Sequence, residues 1–363
     1  MEEVVYFLGA GFSAPFGIPV MSNFLEKSRD IADNKNLNEC KRKRIKHVLD
    51  KIDKMYKIAH FYSMDVDNIE DVLSILEMDE HIGIGIPGFK KIYTDYIKDV
   101  IEHYTPKLEA EKFGLDRSDW YSHIFGYVDP HSPSFCQVLK AGLGFFVANI
   151  HNLSFQRGQQ GSKHIVQRDP NIQTHYSIIT LNYDLLLENV CDFINKQYNT
   201  DGSVTFATDT YNPEIPILAK LHGSVDTIII PPTWNKSGIK PRIRDTWKLA
   251  YKALVEANYI RIIGYSLPST DTYVKYLLGS AMMRASYSKK IDVICLDNSE
   301  ETVKKRYESF INFKHKFVNT KVEYYLSANY RDCCNLGTNG VDSKEIEMKG
   351  LEEAHEKFFG RKL

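Results

Sequence analysis

The sequence predicts an α/β protein: a Rossmann-like doubly wound parallel sheet with a mostly helical insertion domain. Three observations carry that prediction. Short continuous apolar runs rich in β-formers recur along the chain, as expected of strands buried on both faces. Helical patterns separate several of them, as in a sheet built from strand–helix alternation. One long stretch after the first run has almost no strand signal.

The first run, 4–8 (VVYFL), ends at Gly9. Residues 38–152 follow with amphipathic helical patterns such as 69–76 and 92–101, and are read as the insertion between the first and second strands. The further strand runs are 177–181, 215–221, 259–263 and 291–296, with helical patterns at 185–194, 246–256 and 271–283 among them. The sheet domain is assigned to residues 1–37 and 153–300 and the helical insertion to 38–152. Residues 301–363 are assigned to a tail with a helix, a strand at 322–326 and a charged helical segment from residue 344. In that segment Ile346, Met348, Leu351, Phe358 and Phe359 stand among charges, which suits docking on the domain or assembly.

Composition narrows the partners. The chain has 363 residues, 46 Lys and Arg against 47 Asp and Glu, and a net charge of -1. That balance excludes a protein that holds nucleic acid mainly by bulk charge, and leaves a local or indirect contact. The cluster Lys41-Arg42-Lys43-Arg44 with Lys46 is the local candidate, beside the plainer reading of a solvated helix face. No apolar run approaches the roughly 20 residues of a membrane span, so no membrane partner is expected. Met1-Glu2-Glu3 opens the chain without the basic region of a signal peptide. The six cysteines, Cys40, Cys136, Cys191, Cys295, Cys333 and Cys334, form no CxxC pair. This fits a reducing cytoplasm and argues against a structural zinc ribbon.

Five motifs sit at the ends of the five strand runs. The first is Gly9-Ala10-Gly11-Phe12-Ser13, followed by Pro15. Closely spaced glycines after a strand let backbone amides approach a phosphate, and they also suit an ordinary tight turn. The second is Thr180-Leu181-Asn182-Tyr183-Asp184, with Glu188 one turn on. Asn182 suits ribose hydroxyls, while Asn182 and Asp184 are also strong helix caps. The third is Lys220-Leu221-His222-Gly223-Ser224, where His222 is structural or catalytic. The fourth, Gly264-Tyr265-Ser266-Leu267-Pro268, offers Gly264 and Ser266 to phosphate or ribose oxygens. The fifth is Cys295-Leu296-Asp297-Asn298, whose acidic residue accepts from a ribose or caps the next helix. A sixth pattern, Gly83-Ile84-Gly85-Ile86-Pro87-Gly88, fits GxGxxG but follows an acidic helical pattern instead of a strand. Pro87 also removes a backbone donor from it, so it is set apart from the nucleotide motifs. The other five would lie along one edge of the sheet, where open α/β sheets bind ligands.

The set resembles the sirtuin-like NAD-binding superfamily. The residues that carry the resemblance are GAGFSAPFGIP (9–19), TLNYD (180–184), KLHG (220–223) and GYSLPSTD (264–271), over roughly residues 1–300. Within it the chain looks like the zinc-less bacterial branch of antiviral defence, whose members typically hydrolyse NAD. Zinc-bearing sirtuins carry two CxxC pairs and follow the first glycine motif with Asp-Phe-Arg. Here the CxxC pairs are missing and Val20-Met21-Ser22-Asn23-Phe24 follows instead.

The resemblance implies NAD as substrate, with its phosphates near Gly9, Ala10, Gly11 and Ser13 and the adjoining Phe12 and Pro15 in the same binding turn. It implies Ser266, with Gly264 and Tyr265, near a phosphate or the adenosine ribose, and Asp297 or Asn298 near that ribose. Asn182 and His222 would face the nicotinamide ribose, with Thr180 and Asp184 supporting Asn182. The expected reaction is cleavage of NAD to nicotinamide and ADP-ribose without a metal. Asn182 would position water, His222 would bind or deprotonate a ribose hydroxyl, and Asp184 would orient Asn182 or stabilise positive charge. Such an activity must be conditional, so a homo-oligomer and a separately encoded partner are expected. By analogy the partner is a ring-forming translocase ATPase or a short Argonaute-type protein. The competing readings are a protein deacylase or ADP-ribosyltransferase, and a nucleotide-binding regulatory module without turnover.

Overall fold

The structure is a computed structural model. It describes residues 2–59, 61, 65–108, 135–156, 165–168, 174–197, 199–200, 203–212, 214–230, 241–268, 271–313, 315–333 and 350–362. From β1 (Glu2–Leu8) the chain turns through the short α1 (Ala10–Ser13) into α2 (Phe24–Ala32), α3 (Glu39–Ala59), α4 (Ile69–His81), α5 (Phe89–Tyr104) and α6 (Phe135–Ile150). Then come β2 (Leu153–Gln156), β3 (Ile165–Arg168), β4 (Thr174–Thr180), α7 (Leu186–Gln197), β5 (Asn199–Thr200) and β6 (Ile217–Lys220). Helix α8 (Pro241–Glu256) leads to β7 (Tyr259–Ile263), and α9 (Thr272–Arg284) to β8 (Lys290–Cys295). The order ends with α10 (Thr302–Phe310), β9 (Lys316–Asn319), α11 (Val322–Cys333) and α12 (Leu351–Lys362).

Six strands form one sheet in the order β6-β4-β1-β7-β8-β9, and every neighbouring pair is parallel. The chain fills one side of β1, then returns and fills the other. This is the doubly wound arrangement, and its order reverses between β1 and β7, the switch point beside which open sheets of this kind bind ligands. Strands β2, β3 and β5 form a separate three-stranded sheet.

Both faces of the large sheet are covered, which is why its strands read as unbroken apolar runs. Side chains alternate along β1: Val4, Tyr6 and Leu8 enter one core with α6, α7, α11 and α12, and Val5 and Phe7 enter the other with α8 and α9. A third core belongs to the bundle of α2, α3, α4 and α5. In that bundle the basic cluster is largely paired. Lys41 bridges Asp99 and Glu102, Arg44 pairs with Asp99 at 2.9 Å, Lys43 with Glu39, and Lys46 with Asp33. No described helix is long and apolar enough to cross a membrane.

The expectation of a strand at 322–326 is corrected: these residues open helix α11. Val322, Tyr325, Leu326, Asn329 and Tyr330 are buried, the i, i+3, i+4, i+7, i+8 spacing of one helix face. The strand in this region is β9, six residues earlier, at the sheet's edge. Leu351, Phe358 and Phe359 of α12 dock into the first core, while Ile346 and Met348 lie outside the described residues.

Helix α12 is also tied down by a buried polar chain. The Arg261 guanidinium donates to the Glu352 carboxylate at 2.8 and 2.5 Å and to the Tyr6 hydroxyl at 2.6 Å. Removing one partner of such a pair costs about 3–5 kcal/mol, because the other is left as a buried charge. Burial, helped by Arg261, lowers the His355 imidazole to about 4, so the ring is neutral near pH 7. Its Nε2 lies 3.0 Å from an Asp292 carboxylate oxygen, an acceptor, so that nitrogen carries the hydrogen and Nδ1 accepts from the Tyr325 hydroxyl at 3.0 Å.

Candidate active site

The carboxyl ends of β1 and β7 interlock. Gly9 N–H donates to Ile263 O at 3.0 Å and Gly11 N–H to Gly264 O at 2.9 Å. A β-carbon on Gly9 would lie 2.5 Å from the Gly264 carbonyl oxygen, and one on Gly264 2.4 Å from the Phe12 nitrogen. Gly264 also holds a φ of +66°, in the left-handed region. The glycines therefore let two turns lie backbone to backbone at the switch point. The amides of Gly9, Gly11 and Phe12 are all donated within the protein, the last to Gly9 O at 2.9 Å. Phe12 is buried against Phe146, Pro15 is half-buried in a 3-10 turn, and Ala10 is exposed at the strand end.

Asn182 is the side chain this turn holds. Its Nδ2 donates to Gly9 O at 3.0 Å and to Ser13 Oγ at 2.9 Å. A carbonyl oxygen accepts and never donates, so the contact with Gly9 fixes which end of the carboxamide is nitrogen. Its backbone amide donates to Thr180 Oγ1 at 3.0 Å, and that hydroxyl donates to Leu8 O at 3.1 Å. Each such bond is worth about 0.5–1.5 kcal/mol. Both Nδ2 hydrogens are thus used, and Oδ1 has no partner among the described residues. Asn182 is half-buried, so that oxygen is an oriented acceptor at the edge of the sheet.

Asp184 plays a different part. Its Oδ1 accepts the Leu186 amide at 3.0 Å, a helix cap for α7. Its backbone oxygen accepts from Lys220 Nζ, which also pairs with Glu188 at 2.6 Å and reaches Ser224 Oγ at 3.4 Å. Burial pushes the Glu188 carboxyl up, against the lowering effect of Lys220. His222 is buried, its ring centroid 6.2 Å from that of Tyr183. Its carbonyl accepts the Ile230 amide at 2.8 Å, and Gly223 after it has a φ of +78°. The Tyr183 phenol is pushed far up, by burial first and then by Glu70 and Asp271.

The β7 and β8 side is more self-contained. Tyr265 is buried and donates to Asp271 Oδ2 at 2.8 Å. Burial, with Asp271, pushes its phenol far up. Ser266 is half-buried and its carbonyl accepts from Arg306 at 3.3 Å. Leu267 after it has a φ of +47°, a strained value for a branched residue. The Asp297 carboxylate accepts the amides of Asn298, Val303 and Lys304 at 2.9, 2.8 and 2.8 Å. Slight burial raises its carboxyl, but these donors outweigh that and hold it below its usual value. Asn298 Oδ1 accepts the amides of Glu300 and Thr302. Both side chains thus cap α10, which is one of the two roles their residue types allow.

The structure therefore links Gly9, Ser13, Thr180 and Asn182 directly, and places Asp184 and His222 on the adjoining loops. It puts Gly264, Tyr265, Ser266, Asp297 and Asn298 along the other half of the edge. Sequence reasoning missed the bonding of Lys220 and Glu188, and Arg306 beside Ser266; the pairs are 32 and 40 residues apart, and no local pattern announces them. The helical bundle reaches this edge too. Val225 and Ile229, just past His222, lie in its core, and Tyr183 and Leu185 pack against it. Beside Lys220 lies a cleft of ≈ 330 Å³ lined by Glu188, Lys220, Gly223, Ser224 and Thr246. Among the described residues no group of three or more His, Cys, Asp or Glu could hold a metal ion.

Residues 176–320 match the family model of the SIR2-like domain. No curated protein matches the chain. Among solved structures, one of Sir2 in complex with the inhibitor EX-527, 2'-O-acetyl-ADP-ribose and deacetylated p53-peptide aligns over 91% of this chain and 93% of its own, at 12% identity and a TM-score of 0.30. So loose a superposition transfers no residue's role.

Proposed function

We propose that this chain, whose residues 176–320 match the SIR2-like domain model, is an NAD glycohydrolase that cleaves the bond between nicotinamide and ribose. A SIR2-like domain points to NAD-binding or NAD-using activity. The observation that favours hydrolysis is Asn182, whose carboxamide is locked on Gly9 and Ser13 with Oδ1 left as an oriented acceptor.

Nicotinamide leaves as a neutral molecule from a cationic ring, so no general acid is needed. The transition state resembles an oxocarbenium ion, as in glycoside hydrolysis. Asn182 Oδ1 accepts a hydrogen from water or from a ribose hydroxyl and so fixes the nucleophile against the anomeric carbon. His222 takes a hydrogen bond or a proton from a ribose hydroxyl. Water adds where nicotinamide leaves, giving ADP-ribose, free nicotinamide and one proton. Ser266 and the edge beyond it face the adenosine half in this reading. No metal takes part in it.

Unrestrained NAD loss kills a cell, so the activity is conditional, and the setting is antiviral (anti-phage) defence by NAD depletion in the cytoplasm. The trigger arrives through homo-oligomerisation or a separately encoded partner, of the ring-forming ATPase or short Argonaute type. The packing of the bundle on Tyr183, Val225 and Ile229 gives a partner docked there a route to both loops.

The test is incubation of the purified chain with NAD, alone and with the product of its neighbouring gene, following nicotinamide and ADP-ribose by chromatography. Release without any acylated peptide is expected, and Asn182→Ala should lower kcat at least about 100-fold, the usual scale for removing one preorganised polar group. Turnover only with an acetylated peptide would replace this reading with a deacylase. Binding without turnover in every assembly state would replace it with a regulatory module.

A further inference from the structure

We propose that Lys220 is a positioning residue for this reaction: its ammonium group fastens the Asn182 loop to the His222 loop and sets the distance between them. The proposal rests on the NAD-hydrolase reading above and names a residue that reading does not use. Lys220 ends β6 and lies opposite Thr180, the last residue of β4. Its side chain is only 12% exposed, so its charge is held inside the protein. The ammonium has three hydrogens and three acceptors: Asp184 O, Glu188 Oε1 at 2.6 Å and Ser224 Oγ at 3.4 Å. Asp184 is two residues past Asn182, and Ser224 is two residues past His222.

The loops are joined again at Tyr183. Tyr183 O accepts both the Ser224 hydroxyl at 3.2 Å and the Val225 amide at 2.9 Å. One cation and one carbonyl thus tie the Asn182 loop to the His222 loop. Glu188 supplies the counter-charge. Its second oxygen is enclosed and has no partner among the described residues. An ion pair of this kind has a plain structural reading, in which Lys220 merely neutralises Glu188 and any neutral pair would serve as well. The two readings differ in what happens when both charges are removed together.

The experiment compares Lys220→Met, Glu188→Gln, the double variant and Lys220→Arg in the full chain with whatever partner activates it. Thermal midpoint, kcat and KM are read for each. Lys220→Met leaves Glu188 unpaired and should lower both midpoint and kcat. The double variant should regain most of the midpoint while kcat stays at least about 30-fold down and KM changes less than about threefold. Lys220→Arg, which keeps the charge and several donors, should recover part of kcat. A double variant with wild-type kcat would overturn the proposal and leave a structural ion pair.

A second measurement does not depend on turnover. Exchange of the Asn182 and Val225 amides should quicken at least tenfold in the double variant, while that of Gly264 stays unchanged. Exchange of the Asn182 and Val225 amides at wild-type rates in the double variant would overturn the proposal. Should the wild-type chain fail to cleave NAD in every assembly state, the NAD-hydrolase reading falls. The exchange data still decide whether Lys220 holds the loops.

Discussion

Two glycine-rich turns in this chain look alike on paper and differ in the fold. The turn at Gly9 and Gly11 follows a buried strand, whereas the turn from Gly83 to Gly88 joins α4 to α5 and fits GxGxxG more fully. A β-carbon on Gly9 would meet the Gly264 backbone at 2.5 Å, but one on Gly83 or Gly88 would meet nothing within 4 Å. At Gly83 and Gly88 the second turn uses glycine for its dihedrals, with φ of +76° and +77°, while a β-carbon on Gly85 would lie 3.1 Å from Glu80 N; its amides close off α4, with Gly85 N–H and Ile84 N–H both donating to Asp79 O. The first turn uses glycine for room. The amides of Gly9, Gly11 and Phe12 are engaged as well, so loose donors at those positions are not what sets it apart. Its distinction is what the close approach builds, namely a carbonyl, Gly9 O, placed to orient Asn182.

The largest test of that difference is Gly264→Ala. The added carbon would lie 2.4 Å from Phe12 N and 2.5 Å from Gly11 C in a left-handed conformation. Backbone must move to admit it, so a loss of about 3 kcal/mol or more is expected in denaturant unfolding. NAD binding should fall with it, because the Gly9 seat shifts. A fully stable, ligand-competent variant would show that the interlocked turns are incidental. Asn182→Asp comes next. A carboxylate has no hydrogen to give Gly9 O, so that bond is lost and two oxygens face each other, while the Ser13 hydroxyl can turn to donate instead. About 2–3 kcal/mol is expected, against about 1–2 for Asn182→Ala, which removes the bonds without the repulsion. If the aspartate variant were as stable as wild type, the carboxamide would not be locked as described.

Much of this was legible in the sequence, for a physical reason. Strands covered on both faces are apolar throughout, so the runs at 4–8 and 259–263 coincide at their carboxyl ends with β1 and β7. β9 escaped because it is four residues long at an edge, with half-exposed Lys316 and exposed Asn319. The segment 322–326 misled because five residues rich in Val and Tyr satisfy a strand; only the extension to Asn329 and Tyr330 shows the helical period. Asn182 and Asp184 are both strong capping types and share one motif, yet only Asp184 caps a helix. What separates them is Gly9, 173 positions from Asn182, a contact no local pattern contains.

The smallest expected effect is at the other turn. In Gly83→Ala the new methyl group meets open space, so the cost is that of holding alanine at a φ of +76°. That penalty is about 1–2 kcal/mol, and part of it is offset because alanine loses less freedom than glycine on folding. A net loss of about 1 kcal/mol is expected, with NAD affinity and kcat unchanged, because the turn joins two helices of the bundle and none of its glycines bonds to Asn182 or His222. The pairs from Lys90 to Glu77 and Glu80 beside it should hold the helix ends together in the variant. Denaturant unfolding and nucleotide titration of the same preparation check both halves. A change in NAD affinity from so remote a position, at so small a cost in stability, would mean that the second glycine turn is coupled to the nucleotide site, and that room for backbone approach is not what distinguishes the two.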